Sequence, residues 1–230
     1  MTGSIFFIST NGDGSIEWIG SAMIWLLLLL SAANVALIVM SARANTRASV
    51  LPPDESDTLR TMLAAGRSKD AMTRARGGNS DLAMVVARAL DQAPHGTEAM
   101  SRAAEHSADE LLAARLRPLE RLNVLGQVAP MIGLFGTVYG MIVAFQTIAS
   151  TGGAADPAAL AGGIGTALVT TFWGLLIAIP ATSAYAMIRN GAIAQSDELL
   201  ADVDAMIALF RPPSSESRAP LTRSDTPNEA

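Results

Sequence analysis

The chain has 230 residues, of which half are hydrophobic and 16% are charged, and its formal net charge is −5. Soluble domains carry about 25% charged residues, so this composition is poor in charge for a soluble protein. The lack of cysteine excludes disulfides and thiolate chemistry, and the acidic balance with 5% aromatic residues argues against a nucleic-acid partner.

The missing charge is concentrated in stretches that contain no Asp, Glu, Lys or Arg: Trp18–Met40, Leu122–Ala155 and Pro157–Ile188. About 20 apolar residues in a helix cross the ~30 Å hydrocarbon core of a bilayer, so each stretch is long enough to span it. The sequence therefore predicts an all-α, multi-pass membrane protein in contact with lipid. Its three transmembrane helices are expected at residues 18–40, 122–149 and 159–188.

The first span follows an N-terminal arm, residues 1–17, that has no Lys or Arg. A cleaved signal peptide has a basic leader and an apolar core of about 7–15 residues, which favours an uncleaved anchor here. Asn34 is the strongly polar side chain of this span, and we expect it to hydrogen-bond a neighbouring helix.

Residues 41–121 predict a helical domain. Asn79 or Ser80 can cap one of its helices, and a long helix begins near Thr97 and runs towards the second span. After the third span, residues 189–211 predict an amphipathic extension with a heptad-like apolar row: Ile193, Leu200, Val203, Ile207 and Phe210. Residues 212–230 are rich in Pro, Ser, Thr and charge and predict a disordered tail.

The basic residues indicate the orientation of the spans. All 16 Lys and Arg lie in residues 43–121 or from Arg189 onward, and none lies in the arm or in the 150–158 loop. The positive-inside rule then places residues 41–121 and the C-terminus in the cytoplasm and the N-terminus outside.

The second span carries a stripe of small residues on one helical face: Gly126, Pro130, Gly133, Thr137, Gly140 and Ala144. Gly costs about 1 kcal/mol against Ala in a helix, and in a bilayer such a stripe indicates close helix approach. The third span repeats the pattern with Gly162, Thr166, Thr170 and Gly174, and Gly163, Ala167 and Thr171 form the adjacent row. Pro180 is expected to kink the third span. We therefore predict two sets of residues. The helix-packing set is Gly133, Gly136, Gly140, Gly162, Gly174, Pro130 and Pro180.

The second predicted set is the threonines Thr137, Thr171, Thr166 and Thr170, which would border a narrow polar ion path. In the simpler interpretation, each threonine only bonds the carbonyl one turn earlier in its own helix. The sequence contains no evident pairing of a nucleophile with a general base, no phosphate-binding loop and no cofactor site. We therefore expect that the chain is not an enzyme and has no catalytic residue. His95 and His106 lack the spacing and the carboxylates of a metal site.

The segments Ala129–Ile142 (APMIGLFGTVYGMI) and Gly165–Ala181 (GTALVTTFWGLLIAIPA) resemble the second and third spans of the MotA/TolQ/ExbB proton-channel family. Three spans with an outside N-terminus resemble its ExbB and TolQ branch. The resemblance implies a pentamer in the bacterial inner membrane whose second and third spans line a pore. The pore would hold a dimer of ExbD/TolR-like single-span partners, each with a membrane Asp, and proton flow would power transport or another envelope process.

In this resemblance Thr137 and Thr171 match the family's two pore-facing threonines, and Thr166 stands where many relatives have Glu. The chain would then contribute no ionisable group inside its spans, and the titrating group would come from the partner. Two alternatives are a self-contained pentameric ion channel and a structural membrane scaffold.

Overall fold

The structure is a computed structural model that describes residues 18–153 and 157–210. Within these ranges the chain forms helices and turns and no strand. The predicted arm 1–17 and tail 212–230 lie outside the described residues. The helices are α1 (Trp18–Ala44), α2 (Arg47–Val50), α3 (Pro53–Ala64), α4 (Ser68–Arg76), α5 (Asp81–Asp91), α6 (Thr97–Ser150) and α7 (Pro157–Ile207), with short 3-10 turns at Ala93–His95 and Ala208–Phe210.

Three of the helices, α1, α6 and α7, are long and apolar enough to cross a membrane, which confirms the all-α membrane fold. With 54 residues, α6 is about 80 Å long, and α7 with 51 residues is about 75 Å long. Both exceed the ~30 Å hydrocarbon core more than twofold, so each continues far beyond a bilayer. The helix does not break at the predicted span ends near residues 121 and 188.

The described residues divide into two compact units. The first, called the spanning unit, comprises residues 18–51, 109–153 and 157–198. Its centre is formed by Leu27 of α1, Ala129 of α6 and Ile177 of α7, which are all fully buried and pack together. The three apolar helices therefore share one core.

A polar link supplements this core. Asn34 Nδ2 donates a hydrogen bond of 3.0 Å to the backbone carbonyl of Ile177. This carbonyl lies three residues before Pro180 in α7. The expected interhelical bond of Asn34 is confirmed.

The second unit, called the helical unit, comprises residues 52–108 and 199–210. In it α4 packs against both α3 and α5. Ser80 caps α5 by accepting a bond of 3.0 Å from the N–H of Ala83, as predicted, and its hydroxyl donates to Glu55 Oε2 at 2.6 Å. Local capping chemistry therefore decides where α5 begins.

The end of α7 belongs to the helical unit, and its apolar row differs from the predicted one. Val203 and Ile207 are buried as expected, but the side chains beside them are Leu199 and Met206, whereas Leu200 is only half-buried. The predicted row followed the heptad step, and the true row is rotated by about one residue. The acidic side of this segment also contacts the unit, since Asp202 binds Arg60 and Ser56 of α3.

Candidate functional site

The candidate site lies in the spanning unit, where α6 and α7 approach each other through glycines. A Cβ added to Gly133 would lie 3.0 Å from the carbonyl oxygen of Thr170, and one added to Gly174 would lie 2.8 Å from that of Ala129. A Cβ at Gly174 would require the two backbones to move apart, and one at Gly133 would require its neighbours to give by a few tenths of an ångström. The two glycines therefore hold the helices in direct backbone contact.

The same contact continues towards the end of α6. A Cβ on Gly140 would lie 2.6 Å from the carbonyl oxygen of Gly163, and one on Gly163 would lie 3.0 Å from the Ala144 Cβ. Gly163 was predicted only as part of the adjacent row and not as a packing residue. The sequence signal was its position three residues before Thr166, but only the pairing of the two helices shows that it faces Gly140.

Thr170 belongs to this packing contact. It is fully buried, and a Cβ on Gly136 would lie 2.3 Å from its hydroxyl oxygen. Its hydroxyl lies 3.1 Å from the carbonyl oxygen of Thr166 in its own helix and 3.4 Å from that of Gly133 in α6. Within one protomer, the structure therefore places Thr170 inside the helix pair and away from any exposed face.

Thr166 is also buried, with 5% of its surface exposed, and its hydroxyl donates to the carbonyl of Gly162 at 3.1 Å. This is the bond to the preceding turn that the simpler interpretation expects. The two prolines lie inside continuous helices, Pro130 half-buried in α6 and Pro180 exposed on α7.

Thr137 and Thr171, called the hydroxyl pair, meet across the two helices. Their Oγ1 atoms are in hydrogen-bond contact. The Thr137 hydroxyl also lies 3.1 Å from the carbonyl oxygen of Ala167 in α7, and the Thr171 hydroxyl lies 3.1 Å from that of Gly133 in α6. Each hydroxyl therefore reaches a carbonyl of the opposite helix, which a bond within one helix does not explain.

The chemistry of the hydroxyl pair follows from proton counting. Each hydroxyl has one proton and two lone pairs, so the pair has two arrangements. Either Thr137 donates to Thr171, which donates to Gly133, or Thr171 donates to Thr137, which donates to Ala167 or, at 3.3 Å, to Gly133 of its own helix. Both side chains are half-buried, so the pair remains open on one side. The pair can accept a hydrogen bond from a protonated group or donate one to an anion, and its own charge does not change in either case.

The surroundings of the hydroxyl pair contain no ionised side chain. Residues 122–153 of α6 and the following turn, and 157–188 of α7, include no Asp, Glu, Lys or Arg. In the part of the chain that the structure describes, no three His, Cys, Asp or Glu residues are grouped so as to hold a metal. Thr166 contributes only a hydroxyl.

Comparison with known proteins identifies the fold. The MotA/TolQ/ExbB proton channel family matches residues 78–200, more than half of the chain. The biopolymer transport protein exbB1 of Vibrio cholerae is 46% identical over 65 residues, covering 28% of this chain and 28% of that protein. The biopolymer transport protein ExbB of Neisseria gonorrhoeae is 46% identical over 85 residues, covering 37% of this chain and 36% of that protein.

These two alignments span little more than a third of the relatives' lengths at most. ExbB of Xanthomonas campestris pv. campestris aligns more widely, at 26% identity over 223 residues, covering 87% of this chain and 85% of that protein. The family match covers α5, α6 and most of α7, and it therefore includes the glycine contacts and the hydroxyl pair. The chain belongs to the MotA/TolQ/ExbB proton channel family.

Proposed function

We propose that the chain is an ExbB/TolQ-like subunit of a motor that the proton-motive force drives. Five copies form a pore from α6 and α7, and the pore surrounds a dimer of ExbD/TolR-like single-span partners. The observation that carries the proposal is the hydroxyl pair, since Thr137 and Thr171 form a half-buried polar contact between helices that carry no charged side chain at this depth.

The physical role of the pair is to lower the barrier for a titrating carboxyl group of the partner. A charged side chain at the centre of a bilayer costs at least about 2.5–3.5 kcal/mol. A hydroxyl can accept from the protonated carboxyl group and donate to the carboxylate, so it stabilises both states. This chain supplies the neutral oxygens, and the partner supplies the charge.

Within this pore the four threonines have different roles. Thr137 and Thr171 are half-buried in the protomer and face the partner. Thr166 and Thr170 are buried, and their hydroxyls donate to carbonyls of their own helix. In this pore they therefore lie behind the hydroxyl pair and do not contact the partner. Their contribution is to keep α7 at the distance from α6 that the pair requires.

Exposed apolar side chains support assembly in a membrane. Leu134 and Phe135 of α6 and Leu168 of α7 are each more than 60% exposed in the protomer. Surfaces of this kind face lipid or another copy of the chain. A pentamer encloses the hydroxyl pairs and leaves the outer surface to lipid.

The location is the bacterial inner membrane, with the N-terminus in the periplasm and the helical unit in the cytoplasm. The support is the distribution of Lys and Arg, which flank the spans on one side only. The relatives are named for biopolymer transport, so we propose that the motor powers transport or a related envelope process.

A self-contained pentameric channel is the second candidate, and a structural scaffold is the third. The test is to purify the complex from its native membrane and determine subunit count and partner content by native mass spectrometry. Five copies with two single-span partners are expected, and proton flux into liposomes should require the partner. A monomer contradicts the proposal. Flux from the chain alone favours the channel, and an oligomer without flux under either condition favours the scaffold.

A further inference from the structure

A second polar group of the spanning unit lies along the seam between α6 and α7, at the end of the spans that carries the arginines. It consists of Glu120, Asn123 and Gln127 of α6 and Tyr185 of α7, and we call it the polar ladder. The hydroxyl of Tyr185 donates to Glu120 Oε1 at 3.1 Å, and Asn123 Nδ2 donates to Glu120 Oε2 at 3.1 Å. Gln127 Nε2 donates to Asn123 Oδ1 at 2.8 Å.

The direction of these bonds is uniform, because every one of them leads towards Glu120. The amide of Gln127 donates to Asn123, Asn123 donates to one carboxylate oxygen, and the phenol of Tyr185 donates to the other. Donors arranged in this way stabilise a carboxylate anion. The ladder therefore presents a fixed negative charge at one end and neutral polar groups along about 10 Å of α6.

Gln127 favours a hydrated environment at this end of the seam. It lies five residues inside the predicted span that starts at residue 122, and it is exposed on the protomer. Its amide can form about four hydrogen bonds, and among the described residues it makes the one to Asn123. An unpaired amide in hydrocarbon costs roughly 4–8 kcal/mol, so the side chain is far more stable facing water than facing lipid.

Most of the ladder lies within a quarter turn of the hydroxyl pair around the helices. At about 100° per residue, Asn123 and Gln127 are about 40° and 80° from Thr137 around α6, and Glu120 is about 100° from it. Tyr185 is about 40° from Thr171 around α7. Gln127 is ten residues from Thr137, or about 15 Å along the axis. Residues 128–136 between them carry no polar side chain. The polar ladder and the hydroxyl pair thus lie along the same pair of helices and are separated by an apolar stretch.

We propose that the polar ladder is the cytoplasmic mouth of the ion path: a water-filled vestibule in which the Glu120 carboxylate receives the cation that leaves the hydroxyl pair. This inference rests on the proposed function. In an assembly of identical subunits, each copy contributes one Glu120, and a ring of carboxylates concentrates cations at a pore mouth. The apolar stretch prevents a continuous water column between the polar ladder and the hydroxyl pair, so ions cross this stretch only with the moving partner.

Hydration is tested by thiol labelling, since the native chain has no cysteine. In membrane vesicles with the cytoplasmic face accessible, the Gln127→Cys variant of the full complex should react with a membrane-impermeant maleimide. The control is Val128→Cys, one residue further and 38% exposed on the protomer, which should remain unreactive. Equal protection of both variants overturns the vestibule, whether or not the complex conducts protons.

The role of Glu120 is tested by proton flux into liposomes containing the chain and its partner. Glu120→Gln should lower the flux about tenfold, the lower end of the effect of charge focusing at a cleft. Glu120→Asp, which keeps the carboxylate, should restore most of the flux. The matched control Glu105→Gln, an exposed position of the same helix, should leave it unchanged.

The two proposals fail in different ways. Flux of Glu120→Gln equal to that of Glu105→Gln overturns the role of Glu120 and leaves the motor proposal intact. A wild-type complex without flux overturns the motor proposal, while the labelling pattern still decides whether the mouth is hydrated.

Discussion

The Asn34 amide donates a hydrogen bond of 3.0 Å to the carbonyl of Ile177 and so ties α1 to α7 at the centre of the spanning unit. Asn34 is 97% buried, since 3% of its surface is exposed. Its other polar atom, Oδ1, has no partner among the described residues. The side chain therefore combines one favourable interhelical bond with one unsatisfied acceptor.

The first prediction follows from these two opposed contributions. An interhelical hydrogen bond in a membrane is worth about 0.6 kcal/mol on average, and burial of an unpaired acceptor costs about 1–3 kcal/mol. Asn34→Leu removes both, so it should be neutral or should raise the free energy of unfolding by up to about 2 kcal/mol. Asn34→Asp should be clearly destabilising, because it buries a carboxyl group in place of the donor. Thermal unfolding of the purified protein in detergent measures both, and a large loss in Asn34→Leu would contradict the prediction.

The glycine contact gives the second prediction. Gly174→Ala places a Cβ 2.8 Å from the backbone oxygen of Ala129, so α6 and α7 must separate. Overpacking of this kind costs about 1–3 kcal/mol. Gly191→Ala is the matched control on α7, because a Cβ there meets no atom within 4 Å. The control should be neutral or stabilising by up to about 1 kcal/mol, through helix propensity. Similar melting temperatures for the two variants would show that the close approach of α6 and α7 does not contribute to the stability of the protein.

The hydroxyl pair gives the third prediction. Thr171→Val keeps the shape of the side chain and removes its hydroxyl, so a partner carboxylate loses a charge-assisted hydrogen bond worth about 1.5–3 kcal/mol. Proton flux with the partner should fall about tenfold to a hundredfold, and Thr171→Ser should keep most of it. The matched control is Thr147→Val, because the Thr147 hydroxyl donates only to the preceding turn, at 2.9 Å from the Val143 oxygen. Unchanged flux in an assembled Thr171→Val complex would remove the pair from the ion path.

The fourth prediction concerns the helical unit. Asp202 is 13% exposed at its side chain and binds both Arg60 and Ser56, whereas the ion pair of Arg102 with Glu98 is 74% and 81% exposed. Asp202→Ala should therefore cost about 1–3 kcal/mol, since it leaves two partners without their acceptor. Glu98→Gln should cost no more than about 0.5 kcal/mol. Chemical denaturation measures the stability of the two variants. Equal denaturation midpoints would mean that Asp202 contributes no more to stability than an exposed ion pair does.

The orientation of the spans gives the fifth prediction. Thr151, in the turn after α6, and Lys69, in α4, are both exposed. In intact cells, Thr151→Cys should react with a membrane-impermeant thiol reagent that has passed the outer membrane, and Lys69→Cys should react only in inverted vesicles. The reverse pattern would place the arginines outside and contradict the positive-inside assignment.

The hydrophobic pattern by itself determined that this protein has three apolar helices and no strand in its described part. The reason is physical: a charge-free stretch of sufficient length is most stable in a bilayer, and there the backbone must form its hydrogen bonds within a helix. Helical spacing also indicated which small residues share a face. It indicated Gly133, Gly140 and Gly174, and the local sequence limited the cap of α5 to Asn79 or Ser80, because each of these features depends on residues close by in the chain.

Only the tertiary structure decided what each face contacts. Periodicity does not specify how far one helix is rotated or shifted against another. It therefore did not distinguish Thr171, which pairs with Thr137, from Thr170, which is fully buried one residue earlier. For the same reason it missed Gly163 opposite Gly140 and the row through Leu199 and Met206. A rotation of about one residue separates the hydroxyl pair from a packing contact, and the closest approach of the two backbones sets that rotation.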